Sequence, residues 1–180
     1  LELELNLSPS HATDEPSRHD VALRLGPLDA MVGTGALVRP VATVHRRLYA
    51  SARYLAKAVP LLAPVDLAAH NCIVEGREPD MNLWHLQRDG SQTSVRVSGT
   101  LATNNVSLRA RLASEDFGIV ALPVYMAAKL VEKGALVPAL SGWELPSMTL
   151  SAVVSEKSSL GKARVFVEWL ESRLRRSAVD

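Results

Sequence analysis

One cysteine, Cys72, stands in 180 residues. No intramolecular disulfide can form, and a reducing cytoplasm is the expected compartment. Aromatic side chains make up 4% of the chain, too few for base-stacking platforms. Charge of one sign is also lacking: 20 Lys and Arg face 19 Asp and Glu, a formal charge of +1. A chain so balanced has no one-signed field with which to neutralise phosphates, so naked duplex is not its expected partner. No apolar run approaches the roughly 18 residues of a membrane span, and no basic and apolar leader opens the sequence.

Catalytic signatures are missing too. There is no glycine-rich phosphate loop, no G-x-S-x-G elbow and no H-E-x-x-H helix. The five histidines, His11, His19, His45, His70 and His85, are spaced too widely for metal ligation. His70 and Cys72 form the one close pair, which reads more simply as a buried thiol beside a capping imidazole. No enzyme, metal or cofactor is expected.

Apolar residues make up 47% of the chain, and a chain of this length buries about 70% of its unfolded surface, so it needs no staple. Leu1 to Leu7 alternates strictly between apolar and polar, the pattern of an edge strand. It opens on Leu with the alternation under way, so the start is expected to be cut from a longer protein. Ser8 to His19 is expected as loop. Asp20 to Leu25 reads as a strand closed by Gly26-Pro27. Ala36 to Val44 and Arg46 to Ala50 read as two strands parted near His45, where the chain could cross between lobes. Short helices are expected at Ala52 to Val59 and Pro64 to His70, and a buried strand at Asn71 to Glu75. Asn82 to Gln87 and Thr93 to Ser98 flank Asp89-Gly90, a hairpin signal.

A strand ending at Leu101 to Thr103 is followed by Asn104-Asn105 as helix cap, with Leu108, Leu112 and Ala113 as the helix's apolar stripe. Ile119 to Leu122 is a short buried strand ended by Pro123, and a helix from Val124 to Lys133 stops at Gly134. Met148 to Ser155 is a strand. From about Leu160 to Arg175 a helix turns Val165, Phe166, Trp169, Leu170 and Leu174 to one face. Its terminal Arg173, Arg175 and Arg176 suit the helix dipole. The alternation of strands and helices makes this an α/β protein.

Ligands of open α/β sheets sit beyond the carboxyl ends of parallel strands, where loops enter helices. Three segments offer such a place. Thr103, Asn104 and Asn105 lie at a strand-to-helix junction whose free N–H groups and short side chains can hold a carboxylate, although Asn105 also suits a plain cap. Ser8 and Ser10 end the first strand with two hydroxyls, or serve only its turn. Arg24 lies in an otherwise apolar strand and needs either an acidic neighbour or a polar cleft.

The order of segments is specific. Asp20-Val-Ala-Leu-Arg-Leu-Gly26, Leu48-Tyr-Ala-Ser-Ala-Arg-Tyr-Leu55 and Asp66-Leu-Ala-Ala-His-Asn-Cys-Ile73 resemble the effector-binding domain of LysR-type transcriptional regulators. Trp84 before Asp89-Gly90, Val95 to Gly99, Thr103-Asn-Asn105, Phe117-Gly-Ile-Val-Ala-Leu-Pro123, Gly134 to Pro138 and Phe166-Val-Glu-Trp-Leu170 continue the resemblance in register. It covers Leu1 to Leu174.

The resemblance implies two Rossmann-like subdomains of the periplasmic-binding-protein type II architecture, joined by two crossover strands. The first would be 1–44 plus 148–180, lacking the family's N-terminal strand and helix, and the second 45–147. A small-molecule effector would bind the interlobe cleft, lined by Thr103, Asn104, Asn105 and Val106 from one side. Ser8, Ser10, Arg24, Leu25 and Gly26 would face them, with Ala152 near the return crossover. The implied assembly is a homodimer or homotetramer. Promoter DNA would be reached only through a winged helix-turn-helix outside this chain. A solute-binding protein of a transport system shares the fold and is the alternative; it would call for an export signal.

Overall fold

The computed structural model describes residues 4, 20–26, 37–76, 78–154 and 160–177. The strand expected at Leu1 to Leu7, apart from residue 4, the loop expected to His19, and Ser8 and Ser10 within it lie outside the described residues. Contacts divide the chain into two compact units, 1–44 with 148–180, and 45–147.

In the first unit, β1 (Val21–Leu25) pairs antiparallel with the end of β7 (Val137–Val154), with Leu23 opposite Ala152 and Arg24 opposite Ser151. Gly26 closes β1 at φ 106° and donates its N–H to the Thr149 carbonyl at 3.0 Å. Glycine is at home in that left-handed backbone. Helix α4 (Leu160–Ser177) covers this sheet, burying Ala163 and Val167 against Val41, Ala152 and Val154. Phe166 and Leu174 flank that contact. Val165 and Trp169, expected on the buried face, are instead more than half exposed. The true stripe is 163, 166, 167, 170 and 174, one helical face shifted from the expected one. Trp169 covers itself differently, stacking on Phe166 and lying under the Arg173 guanidinium.

The second unit begins within β2 (Leu37–Ala50), which runs without a break through His45. No glycine interrupts the segment and its side chains remain strand-compatible, so the strand break expected near His45 is absent, although the boundary between the two units falls between Val44 and His45. β2 leads through Ser51, whose hydroxyl accepts the Tyr54 N–H and caps α1 (Ala52–Lys57). A 3-10 helix, Pro64–Ala69, opens on proline, and Asp66 accepts the Leu62 and Ala63 N–H groups at 2.9 and 2.8 Å. β3 (Cys72–Ile73), a 3-10 turn (Pro79–Asn82), and the hairpin β4 (Leu83–Arg88) and β5 (Ser91–Arg96) follow. Asp89 and Gly90 both have positive φ, 50° and 79°, as a type I′ hairpin turn requires.

Helix α2 (Val106–Ser114) leads to β6 (Ile119–Pro123), every residue of which is buried. α3 (Val124–Glu132) ends before Gly134 at φ 69°. β7 then starts eleven residues earlier than the expected Met148. Pro138, Gly142 and Pro146 read as breakers, but left-handed Leu140 and Gly142 let the strand bend and continue.

Hydrogen bonds link seven strands in the order β3-β6-β2-β7-β4-β5, with β1 joined to β7 off this path. The expectation of two separate Rossmann-like sheets is therefore met by one mixed sheet in an α/β fold. β3 and β6 are its parallel pair, and β2 and β6 run antiparallel.

The second unit's core has two clusters. Leu48, Leu67, Cys72, Leu86 and Ile119 pack on one face, and Tyr49, Ile73, Val120, Leu122 and Leu136 on the other. Cys72 is fully buried and its thiol is pushed up to about 12 by that burial, so it behaves as a small apolar side chain. His70 ends the 3-10 helix, with Nδ1 3.2 Å from the Tyr54 hydroxyl. No helix among the described residues is long and apolar enough to cross a membrane.

Two outcomes are expected. A methyl at Gly99 would overlap the Cys72 carbonyl oxygen, whereas one at Gly161 in α4 would meet nothing. Urea unfolding should show Gly99→Ala less stable by about 2 kcal/mol or more, and Gly161→Ala more stable by about 0.5 kcal/mol. Burial also pushes the His70 pKa down, against a smaller opposing pull from Asp66. The unfolded chain binds that proton near pH 6.5 while the folded one resists it. Stability should then fall as pH drops from about 7 to 5.5, and His70→Gln should flatten that part of the curve.

Candidate functional site

The parallel pair β3 and β6 defines which edge of the second unit can receive a ligand, since their carboxyl ends point the same way. Beyond β3, Val74 forms a parallel bridge with Ala102, and the Thr103 N–H donates to the Val74 carbonyl at 3.0 Å. The chain reaches α2 as an anchored loop, although Leu101 to Thr103 contributes this single bridge rather than the expected strand.

A short relay fixes the entry to α2. The Asn105 N–H donates to Thr103 Oγ1 at 3.2 Å, and Asn105 Oδ1 accepts the Leu108 N–H at 2.9 Å. The Asn105 carbonyl accepts the Arg109 N–H, the first bond of the helix. Asn105 is thus the N-cap. Val106 and Ser107 are left with N–H groups that have no carbonyl within the helix, the usual source of anion affinity at such an end. Asn104 is exposed and Thr103 half-buried, so both are reachable from solvent.

Of the expected stripe, α2 buries Ala113 and packs Leu112 against the core but turns Leu108 outward. Leu108 is 43% exposed, while Arg109, Ala110 and Ala113 are buried and Val106 packs beside them. The spacing 106, 109, 110, 113 is the ordinary inward face of a helix, with an arginine on it. Arg109 Nη2 lies 3.8 Å from Glu75 Oε2, and its Nε is buried with no acceptor among the described residues. Arg46, opposite Pro123 across β2 and β6, donates from Nη2 to the Pro146 carbonyl at 3.2 Å. Burial holds the Arg46 pKa below its usual value, with Glu75 pulling it back up and the like charge of Arg109 adding to the lowering; burial also lowers that of Arg109, with Glu75 again pulling it up.

The structure therefore brings together Thr103, Asn104, Asn105 and Val106. It adds Glu75, Arg46 and Arg109, which were not singled out in the sequence. A usable signal existed for Arg109: it stands at the helical spacing of three small apolar neighbours. Arg24, Leu25 and Gly26 belong to the first unit, on and just after β1, with Arg24 half-buried and Leu25 exposed. Ala152 is fully buried beneath α4 in that unit's core. A separate depression of about 370 Å³, walled by Leu61, Leu62, Arg88, Pro138 and Trp143, contains none of the expected site residues. Among the described residues no three His, Cys, Asp or Glu side chains are gathered as for a metal.

The sequence profile of the LysR substrate binding domain matches residues 1–175. The chain belongs to that family. It is the effector-binding regulatory domain of a LysR-type transcriptional regulator, a non-enzymatic class. It is similar to the HTH-type transcriptional regulator PtxR of Pseudomonas aeruginosa, at 30% identity over 88% of this chain and 50% of PtxR. The solved regulatory domain of CrgA from Neisseria meningitidis is 26% identical, with a TM-score of 0.73 over 88% of this chain and 76% of that one. Full-length AphB, the Vibrio cholerae virulence activator, shares the fold at 23% identity, with a TM-score of 0.78 over 94% of this chain and 57% of AphB. The chain spans about half the length of the curated relatives it matches.

The cap and the exposed amide beside it separate by mutation. Asn105→Ala should cost about 1 kcal/mol of stability in denaturant unfolding, because it strips the cap. Asn104→Ala, on an exposed side chain, should stay within about 0.5 kcal/mol of the parent.

Proposed function

We propose that this LysR domain senses a small carboxylated effector whose acid group is received at the start of α2 by Thr103, Asn104, Asn105 and Val106. The observation that carries the reading is the anchored, capped α2 terminus at the carboxyl edge of the parallel strands, in a chain of this family. Residues of the first unit, Ser8, Ser10, Arg24, Leu25 and Gly26, complete the proposed contact set, from which the buried Ala152 is left out. The two units correspond in this reading to two subdomains of the periplasmic-binding-protein type II kind, 1–44 with 148–180 and 45–147, linked by β2 and β7.

In the whole regulator, a winged helix-turn-helix outside this chain would read promoter DNA, within a cytoplasmic homodimer or homotetramer. The near-neutral charge of the present chain fits a sensing half with no phosphate contacts of its own. Signalling requires only that the effector favour one arrangement of the assembly over another, by about 1–3 kcal/mol of coupling.

Thermal-shift screening of small aromatic and aliphatic acids, followed by calorimetry, tests the site. A hit should lose about tenfold or more in affinity on Asn104→Ala, the loss of one charge-assisted hydrogen bond. Unchanged affinity in both Asn104→Ala and Arg24→Ala would place the ligand elsewhere. Mobility shift with the intact regulator, with and without the hit, tests the output.

A further inference from the structure

Among the described residues, two guanidinium groups share the ligand-receiving edge of the second unit with a single carboxylate. Arg109 is 8% exposed, stands one turn into a nine-residue helix and has a buried Nε with no acceptor among the described residues. Its ion pair with Glu75 is long, at 3.8 Å, beyond hydrogen-bond reach. Glu75 itself is 41% exposed and follows directly on Val74, whose carbonyl holds Thr103. Arg46 likewise has a buried Nε with no acceptor among the described residues, and its Nη2 donates to the neutral Pro146 carbonyl.

Each of these facts is unfavourable by itself. A cation near a helix N-terminus opposes the helix dipole, two guanidinium groups repel, and a buried guanidinium donor without an acceptor carries its full desolvation cost. One half-exposed carboxylate does not offset two cations and a positive helix end. An arrangement so short of negative charge is suited to a ligand that supplies it. Arg46 stands opposite Pro123 at the carboxyl end of β6, Glu75 follows the parallel β3 at the same end, and Arg109 reaches Glu75 from α2, so the three groups line one edge.

We infer that Arg109 and Arg46 form an oxyanion subsite at the start of α2, in which the ligand's acid group displaces Glu75 as the partner of Arg109. Glu75 is then an internal competitor, holding the cation loosely until an effector takes its place. The inference rests on the reading that the effector meets the α2 terminus, and extends it by assigning the charge-bearing contacts and their resident rival.

The test titrates the 180-residue chain with sodium sulfate and, separately, sodium malonate, at constant ionic strength held with sodium chloride. Thermal shift and calorimetry give the affinities, and the tighter of the two anions tells a tetrahedral from a carboxylate preference. Saturable binding of at least one is expected. Arg109→Met should weaken it by about tenfold or more, while Glu75→Gln should tighten it by about threefold or more. A role in packing alone would not produce opposite signs from the two partners of one ion pair. If Arg109→Met does not fold, as judged by circular dichroism, the gain in Glu75→Gln decides the matter, because that side chain is largely at the surface. Absence of saturable binding, retention of binding in folded Arg109→Met, or no gain in Glu75→Gln overturns the inference. A screened acid that is lost on Asn104→Ala yet indifferent to Glu75→Gln would leave the effector reading standing without this subsite.

Discussion

Asn71 is the residue on which the second unit hangs. Its carbonyl accepts the Ile119 N–H at 2.9 Å and so starts the parallel pairing of β3 with β6. Its side chain works in both directions, Oδ1 accepting the Thr100 N–H at 2.9 Å and Nδ2 donating to the Phe117 carbonyl. Its own N–H donates to the Tyr54 hydroxyl. One asparagine thus ties together the loop after β5, the loop after α2, β3, and the tyrosine of α1. Such closeness leaves no room for side chains at the crossing: methyl groups at Gly99 and Gly118 would collide with the Cys72 and Asn71 carbonyls. The fully buried β6, and with it the edge at which α2 begins, depends on that junction.

Local chemistry was readable wherever a short segment decides its own conformation. Asp89-Gly90 specifies a tight hairpin through two positive φ angles, Asn105 specifies a cap, and Pro123 and Gly134 bracket α3, all without reference to distant partners. Legibility fails where tertiary pairing overrides local punctuation. β7 keeps its course through Pro138, Gly142 and Pro146, and Glu144 is held by Arg47 while Arg88 lies over Trp143. None of those partners is near in sequence. Helical faces fail for another reason: α2 and α4 both carry more apolar residues than one face can bury, so the sequence offers two stripes and packing chooses between them.

The same ambiguity explains what the site gained. Reading α2 by its leucines puts Leu108 inside and ignores arginine, yet the packed face is set by small residues, Ala110 and Ala113, against which a long guanidinium stem can lie. Thr103, Asn104 and Asn105 are visible in sequence because capping is local. Arg46, Glu75 and Arg109 are not, because their grouping follows only once β2, β3 and α2 are assembled. The positions expected from the first unit divide as well: Arg24 and Leu25 remain at or near solvent, whereas Ala152 is enclosed under α4.

Cys72 has a practical corollary. A chain with one thiol, wholly enclosed and shifted far toward its protonated form, carries no competing nucleophile under native conditions. A second cysteine placed on the surface, for example at the strongly exposed Leu62, would accept a maleimide dye or spin label alone, with the native residue left in place. The protein is in that sense already prepared for single-site spectroscopy of its ligand response.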